Sequence, residues 1–159
     1  MARRIGPMDL PAGTAGGAVE TTMRITGWAR EVLERPQRFA TLATLAPDGA
    51  PFQAVVWYTL RGDVIVVNSA VGRRWPANLV RDPRFSFVVE DGYDWVGVRG
   101  LAEPLSDQAE AQADIAAMAR RYHADDPGHA ESLIRERFQR QERISFLLHA
   151  QAVSEHPDS

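Results

Sequence analysis

The 159-residue chain is the size of one domain, long enough to bury a core without crosslinks. Its 45% hydrophobic and 25% charged residues are globular values, and a net charge of -3 argues against a general nucleic-acid binder, which shows a basic face. The absence of cysteine excludes disulfide frameworks and thiolate metal sites, and no apolar run reaches the ~18 residues of a membrane span.

Residues 1–20, opening MARRIGPMDLPAGTAGG, are rich in Gly, Ala and Pro and lack periodicity, so they are expected to form a mobile tail before a single domain over 21–159. They hold no unbroken apolar stretch; a signal peptide is not expected, and a cytoplasmic location is. The spacing of Ile25, Trp28, Ala29 and Leu33 predicts an amphipathic helix from about Thr22 to Arg35, ended by Pro36.

From Arg38 the pattern turns to strands. RFATLATLA meets the turn signal PDG and then PFQAVVWYTL, where Phe52, Ala54, Val56, Tyr58 and Leu60 alternate with Gln53, Val55, Trp57 and Thr59. Arg61-Gly62-Asp63 turns into VIVVNS, and the two hairpins read as an antiparallel meander. GRRWPANLVRDPR, residues 72–84, is expected to hold one short helix stopped before Asp82-Pro83. Strands RFSFVVE and WVGVRGLAEPL follow. Ser106 is the expected N-cap of a helix that places Ile115, Met118, Ala119 and Tyr122 on one face. Asp126-Pro127 opens another, with Ala130, Leu133, Ile134 and Phe138 inward, and RISFLLHA is the last strand. The fold class is α+β: a six-stranded antiparallel sheet with flanking helices, most economically closed into a small barrel without edges.

Most chemical constellations fail. His123, His129, His149 and His156 lack ligand-like spacing, so no metal is expected. No serine sits in a nucleophile elbow, and no phosphate loop or dinucleotide fingerprint occurs. What remains is the arginine segment. All 18 basic residues are arginine, so an anion site must use the planar guanidinium. Gly72 would let a backbone approach, Arg73 and Arg74 could fork onto phosphate oxygens at a helix start, and Asn68, Ser69 and Asn78 add neutral donors. Trp57 and Trp75 could flank a flat ring. The same residues fit equally well a solvated loop with Trp75 packed on its helix.

The motifs ATLATLAPDGAPF, VVWYTLRGD, GRRWPANLVRDPR and WVGVRGLAE, in that order within 38–105, resemble the split β-barrel flavin-binding superfamily of pyridoxamine 5'-phosphate oxidase. The resemblance is nearest to its actinobacterial branch, which uses the deazaflavin coenzyme F420. It implies a six-stranded split barrel and a homodimer with cofactors in grooves between subunits. It assigns the cofactor phosphate to Arg73 and Arg74, neighbouring polar positions to Asn68, Ser69 and Asn78, and the strand flanking the ring to Gln53, Val55 and Trp57. Relatives often carry a cation where Trp75 and Ala77 stand.

By that resemblance, the chain is an F420-dependent oxidoreductase moving a hydride from reduced deazaflavin to a conjugated small molecule such as an enone, quinone or tetrapyrrole. The alternatives are an FMN-dependent oxidase or reductase, and a non-enzymatic cofactor or haem-type carrier on the same barrel. Catalytic residues are unassigned: a proton could come from Tyr58, Tyr93, Tyr122 or water. Neither nucleic-acid nor membrane partners are expected.

Overall fold

The computed structural model describes residues 22–158, so the tail expected over 1–20 lies outside the described residues. Its strands are β1 (Ala40–Leu45), β2 (Pro51–Val56), β3 (Thr59–Arg61), β4 (Val64–Ala70), β5 (Arg84–Asp91), β6 (Asp94–Leu105) and β7 (Arg143–His156). There are seven strands rather than the expected six, because PFQAVVWYTL breaks in two at Trp57-Tyr58. Tyr58 is wholly buried there, and its hydroxyl donates to the Leu33 carbonyl at 2.7 Å. Its N–H bonds the Tyr122 hydroxyl at 3.2 Å in place of a strand neighbour. The expected alternation survives the break, with Val56 and Tyr58 buried and Gln53 and Val55 exposed.

The sheet runs β2-β1-β5-β6-β7-β4-β3, and every pairing is antiparallel. The hairpins β1–β2, β3–β4 and β5–β6 match the turn signals. The order is not a simple meander, however, since β7 enters between β6 and β4. The two outermost strands, β2 and β3, are consecutive in sequence. These two edge strands are linked through Trp57-Tyr58, with no ladder between them among the described residues. Leu42, Tyr58, Val67, Phe87, Val98, Phe146 and Leu148 fill one interior core, drawn from every part of the ring. At Arg99/Gly100 the β6–β7 register shifts. A Cβ on Gly100 would lie 1.9 Å from the His149 carbonyl oxygen, so this bulge requires glycine.

The first helix, α1 (Gly27–Glu34), begins later than the expected Thr22. The Met23 N–H donates to the Ala150 carbonyl at 2.7 Å, which holds the preceding residues against β7 instead of in a helical turn. Ile25 is buried there although it lies outside the helix. Helix α2 (Arg74–Arg81) stops at Asp82, as the following proline dictates. Helix α3 (Gln108–Tyr122) is capped by Asp107 rather than the expected Ser106, its carboxylate accepting from the Glu110 N–H at 2.9 Å. That shift of one residue puts the stronger acceptor three positions before an N–H it can reach. Helix α4 (Pro127–Glu136) starts as expected, with the Asp126 carboxylate accepting from the His129 N–H. A second core lies outside the barrel, where Ile115, Met118 and Ala119 of α3 and Ile134 of α4 meet Val66 of β4. No helix among the described residues is long and apolar enough to cross a membrane.

Candidate functional site

The site lies where β4 ends and β7 begins. Ala70 pairs with Arg143 and Asn68 with Ser145, and the Val71 N–H donates to the Glu142 carbonyl at 2.8 Å. Gly72 then adopts φ +96°, a left-handed turn that admits glycine at little cost, and nothing among the described residues approaches the place of its missing side chain. This turn sets Arg73 as the residue preceding α2, with its side chain free of any cap. Below it opens a cavity of about 210 Å³. Arg73, Arg137 and Arg143 line it together with Val55, Trp57, Trp75, Ile115 and Phe138.

Arg143 is the buried member of the trio, only 4% exposed. Its Nε donates to Asn68 Oδ1 at 3.0 Å, its Nη1 to Gln141 Oε1, and its guanidinium lies over the Phe138 ring at 4.9 Å. All three partners are neutral. Burial, and then the nearby charges of Arg73 and Arg137, push its pKa down to about 10. It remains a cation at neutral pH. Asn68 is fixed in turn by donating its amide to the Ala111 carbonyl and to Ser145 Oγ, each at 2.9 Å. The Ser145 hydroxyl donates to Asp114 Oδ2 at 2.7 Å, and Asp114 pairs with Arg61.

The facing wall is aromatic. Trp57 stacks on Tyr122 with centroids 5.0 Å apart and planes within 7°, and meets Phe138 edge-on at 6.3 Å. Val55 beside it is 72% exposed. None of the three candidate proton donors lines the cavity. The Tyr58 hydroxyl is committed to Leu33, and burial raises its pKa above the usual tyrosine range. The Tyr122 hydroxyl donates to the Arg38 carbonyl at 2.6 Å, and burial raises its pKa also. Tyr93 sits exposed in the turn between β5 and β6.

Of the residues singled out from sequence, the fold brings Val55, Trp57, Asn68, Arg73 and Trp75 together at the cavity. Gly72 supplies the turn that aims Arg73. Trp75 also packs inward, tilted against Phe146 at 5.8 Å. Gln53 is exposed on β2 away from the cavity lining, and Ser69 is buried with its hydroxyl on the Ala70 carbonyl. Arg74 turns away and lies over Phe52 at 5.3 Å. Asn78 is a structural clasp: its amide donates to Thr44 Oγ1 and its oxygen accepts from Arg81, which also reaches the Leu45 carbonyl. Sequence reasoning missed Arg137 and Arg143. A basic residue ending a helix reads as a complement to the helix dipole, and Arg143 reads as the first residue of a strand. The β4–β7 pairing sets Arg143 opposite Ala70, and the end of α4 brings Arg137 to the same cavity.

The profile of the family described as Pyridoxamine 5'-phosphate oxidase matches residues 25–155. Among curated proteins, none matches this sequence. An F420 reductase of solved structure is 25% identical, with a TM-score of 0.62 over 79% of this chain and 94% of that one. A haem-binding protein from Mycobacterium smegmatis is also 25% identical, with a TM-score of 0.57 over 78% of this chain and 50% of the other. A conserved hypothetical protein from Mycobacterium tuberculosis, 22% identical, shares the fold with a TM-score of 0.66 over 84% and 86% of the two chains.

Proposed function

The chain belongs to the pyridoxamine 5'-phosphate oxidase family, and on that premise we propose that it is a cytoplasmic F420-dependent reductase, working as a homodimer on a conjugated small molecule such as an enone, quinone or tetrapyrrole. The observation that carries this reading is the pairing of an arginine-lined cavity with a flat aromatic wall, Arg73, Arg137 and Arg143 against Trp57. The donor set fits the cofactor: cations suit its phosphate and carboxylates, and an indole suits the face of a tricyclic ring. The 25% identity with an F420 reductase supports the choice of deazaflavin over FMN.

When bound, reduced deazaflavin supplies a hydride from its ring carbon. This chain's part is to hold and orient. The arginines anchor the anionic end, while Trp57 and Val55 exclude water from the ring. No side-chain hydroxyl of Tyr58 or Tyr122 is free to give a proton, which leaves water as the donor on this subunit's side. The groove is open beside the exposed Val55, and a second copy packed on β2 and β1 would supply the missing wall.

Titration with F420 and with FMN, followed by absorbance, tests the cofactor. A panel of enones, quinones and tetrapyrroles under reduced F420 tests the reaction. Tighter binding of FMN sinks the deazaflavin assignment. Tight F420 binding with no acceptor ever oxidising its reduced form makes the protein a carrier instead.

A further inference from the structure

We propose that Gln112 is a positioning residue of the cavity: from α3 it holds the backbone strap over 137–142 and so fixes where Phe138 stands. The nature of the cavity's occupant rests on the reading above; the clamp does not.

The strap joins the end of α4 to the start of β7. Within it the Arg140 N–H donates to the Arg137 carbonyl and the Gln141 N–H to the Phe138 carbonyl, which makes a single 3-10 turn. A backbone bond from the Val71 N–H to the Glu142 carbonyl ties it to the sheet. Two glutamines of α3 supply further attachment. Gln112 Nε2 donates to the Phe138 and Gln141 carbonyls, each at 2.9 Å, so both of its amide protons are spent on the strap. One helical turn earlier, Gln108 Oε1 accepts from the Arg143 N–H at 2.9 Å, and its Nε2 donates to the Arg143 carbonyl at 2.8 Å. A spacing of four residues sets the two amides on one face of the helix. Ile115, Met118 and Ala119 seat α3 in the second core, which gives the clamp a firm mount.

Phe138 is what the clamp fixes for the cavity. It is buried, meets Trp57 edge-on at 6.3 Å and lies beneath the Arg143 guanidinium at 4.9 Å. A shift of the Phe138 backbone therefore disturbs the support of the indole and of the buried cation together. Gln112 does not line the cavity, so it acts only through the strap. Its amide is neutral, and its hold on the strap does not weaken with salt as an ion pair would.

The test uses the full chain with Gln112→Met, which keeps the side-chain length and loses both donated bonds. Val96→Ala, in the barrel core away from the strap, is the control for general destabilisation. Hydrogen–deuterium exchange reads the strap without any ligand, and titration with F420 and with FMN reads the cavity. Gln112→Met is expected to speed exchange at the Val71, Arg140 and Gln141 amides about tenfold. It is expected to weaken whichever cofactor binds by about five- to tenfold, since only the held strap is competent. Under reduced F420, KM should rise by that factor with kcat unchanged. Val96→Ala is expected to lower the melting temperature and to change neither strap exchange nor affinity.

Unchanged strap exchange in Gln112→Met overturns the clamp. Faster exchange with unchanged affinity makes Gln112 a structural residue only and overturns its positioning role, as does an equal loss of affinity in Val96→Ala. If Gln112→Met does not fold, Gln112→Asn, whose amide is drawn back by one carbon, is read by the same criteria. If neither cofactor binds the unaltered protein, the reductase reading falls and strap exchange alone decides the clamp.

Discussion

Over β4 and the first half of β7, the outer face of the barrel is roofed by α3 and α4, and burial runs unbroken from Ile65 to Ala70. Over β1 and β5 no helix among the described residues covers the outer face, and burial alternates residue by residue. The ladder is the same on both sides. What differs is the outward side chain. Val66 and Asn68 on β4 offer an apolar surface and an amide that α3 can satisfy, so helices settle there. Thr41, Ala43 and Val88 on the other half are small and half-buried, a flat surface better suited to another sheet than to a helix. The cavity lies at the boundary, taking Val55 from the bare half and Ile115 and Phe138 from the roofed half.

The division is most sharply tested by removing volume on each side. Met118→Ala, in the wholly buried second core, is expected to cost about 2–5 kcal/mol in urea denaturation. Val88→Ala on the bare face should stay within about 0.5 kcal/mol for the isolated protomer. Equal losses would mean that the two faces are not different environments.

Adding charge tests what the bare face is for. Thr41→Arg should leave folding intact but weaken the proposed dimer roughly thirtyfold, or about 2 kcal/mol, by burying an unpaired polar group between subunits. Sedimentation equilibrium reads this directly; an unaltered protein that is monomeric at micromolar concentration removes the second copy from the picture.

At the boundary, Asn68→Ala strips Arg143 of its fixed acceptor and removes the amide donor shared by Ser145 Oγ and the Ala111 carbonyl. A loss of about 1–3 kcal/mol in melting experiments is expected, together with weaker phosphate binding because the guanidinium is no longer held in place. A melting loss without a binding loss would make Asn68 purely a scaffold residue.

The smallest expected effect is common to both halves. The Asp158 N–H and Arg35 lower the pKa of Asp94 at the β5–β6 hairpin, and Arg120 lowers that of Glu131 on α4. Carboxylates with depressed folded pKa values stabilise the fold above their unfolded pKa, and the gain is lost as pH falls through the folded value. Stability should therefore be level above about pH 5 and decline only below about pH 4. Asp94→Asn and Glu131→Gln should each flatten that decline in urea titrations between those conditions. A decline that begins near neutral pH would point to other groups.

Much of the architecture was legible in local pattern. Strand-like runs marked the six expected strand segments, Asp126-Pro127 the start of α4, and Asp82-Pro83 the end of α2. The break at Trp57-Tyr58 was not legible, since alternation continues through it and only the contacts of Tyr58 with Leu33 and Tyr122 interrupt the ladder. Half of the candidate site was visible as GRRW. The other half, Arg137 and Arg143, comes from the end of α4 and the start of β7, and joins it only through long-range packing and pairing. Arg74, adjacent to Arg73 at the helix start, lies over Phe52 and does not line the cavity.

The place of β7 between β6 and β4 has a consequence in time. Three hairpins, β1–β2, β3–β4 and β5–β6, close over short loops and need nothing from elsewhere. Without residues 143–156, β2-β1-β5-β6 and β4-β3 share no ladder at all. Joining them requires closing loops of tens of residues, the slow kind of step in folding. Until β7 is in place the two sheets are linked only by the chain itself, at Trp57-Tyr58 and over 71–83, and the strand that pairs them also carries Arg143. The proposed cofactor site would be complete only once β7 has paired, so cofactor affinity would also report that folding is complete.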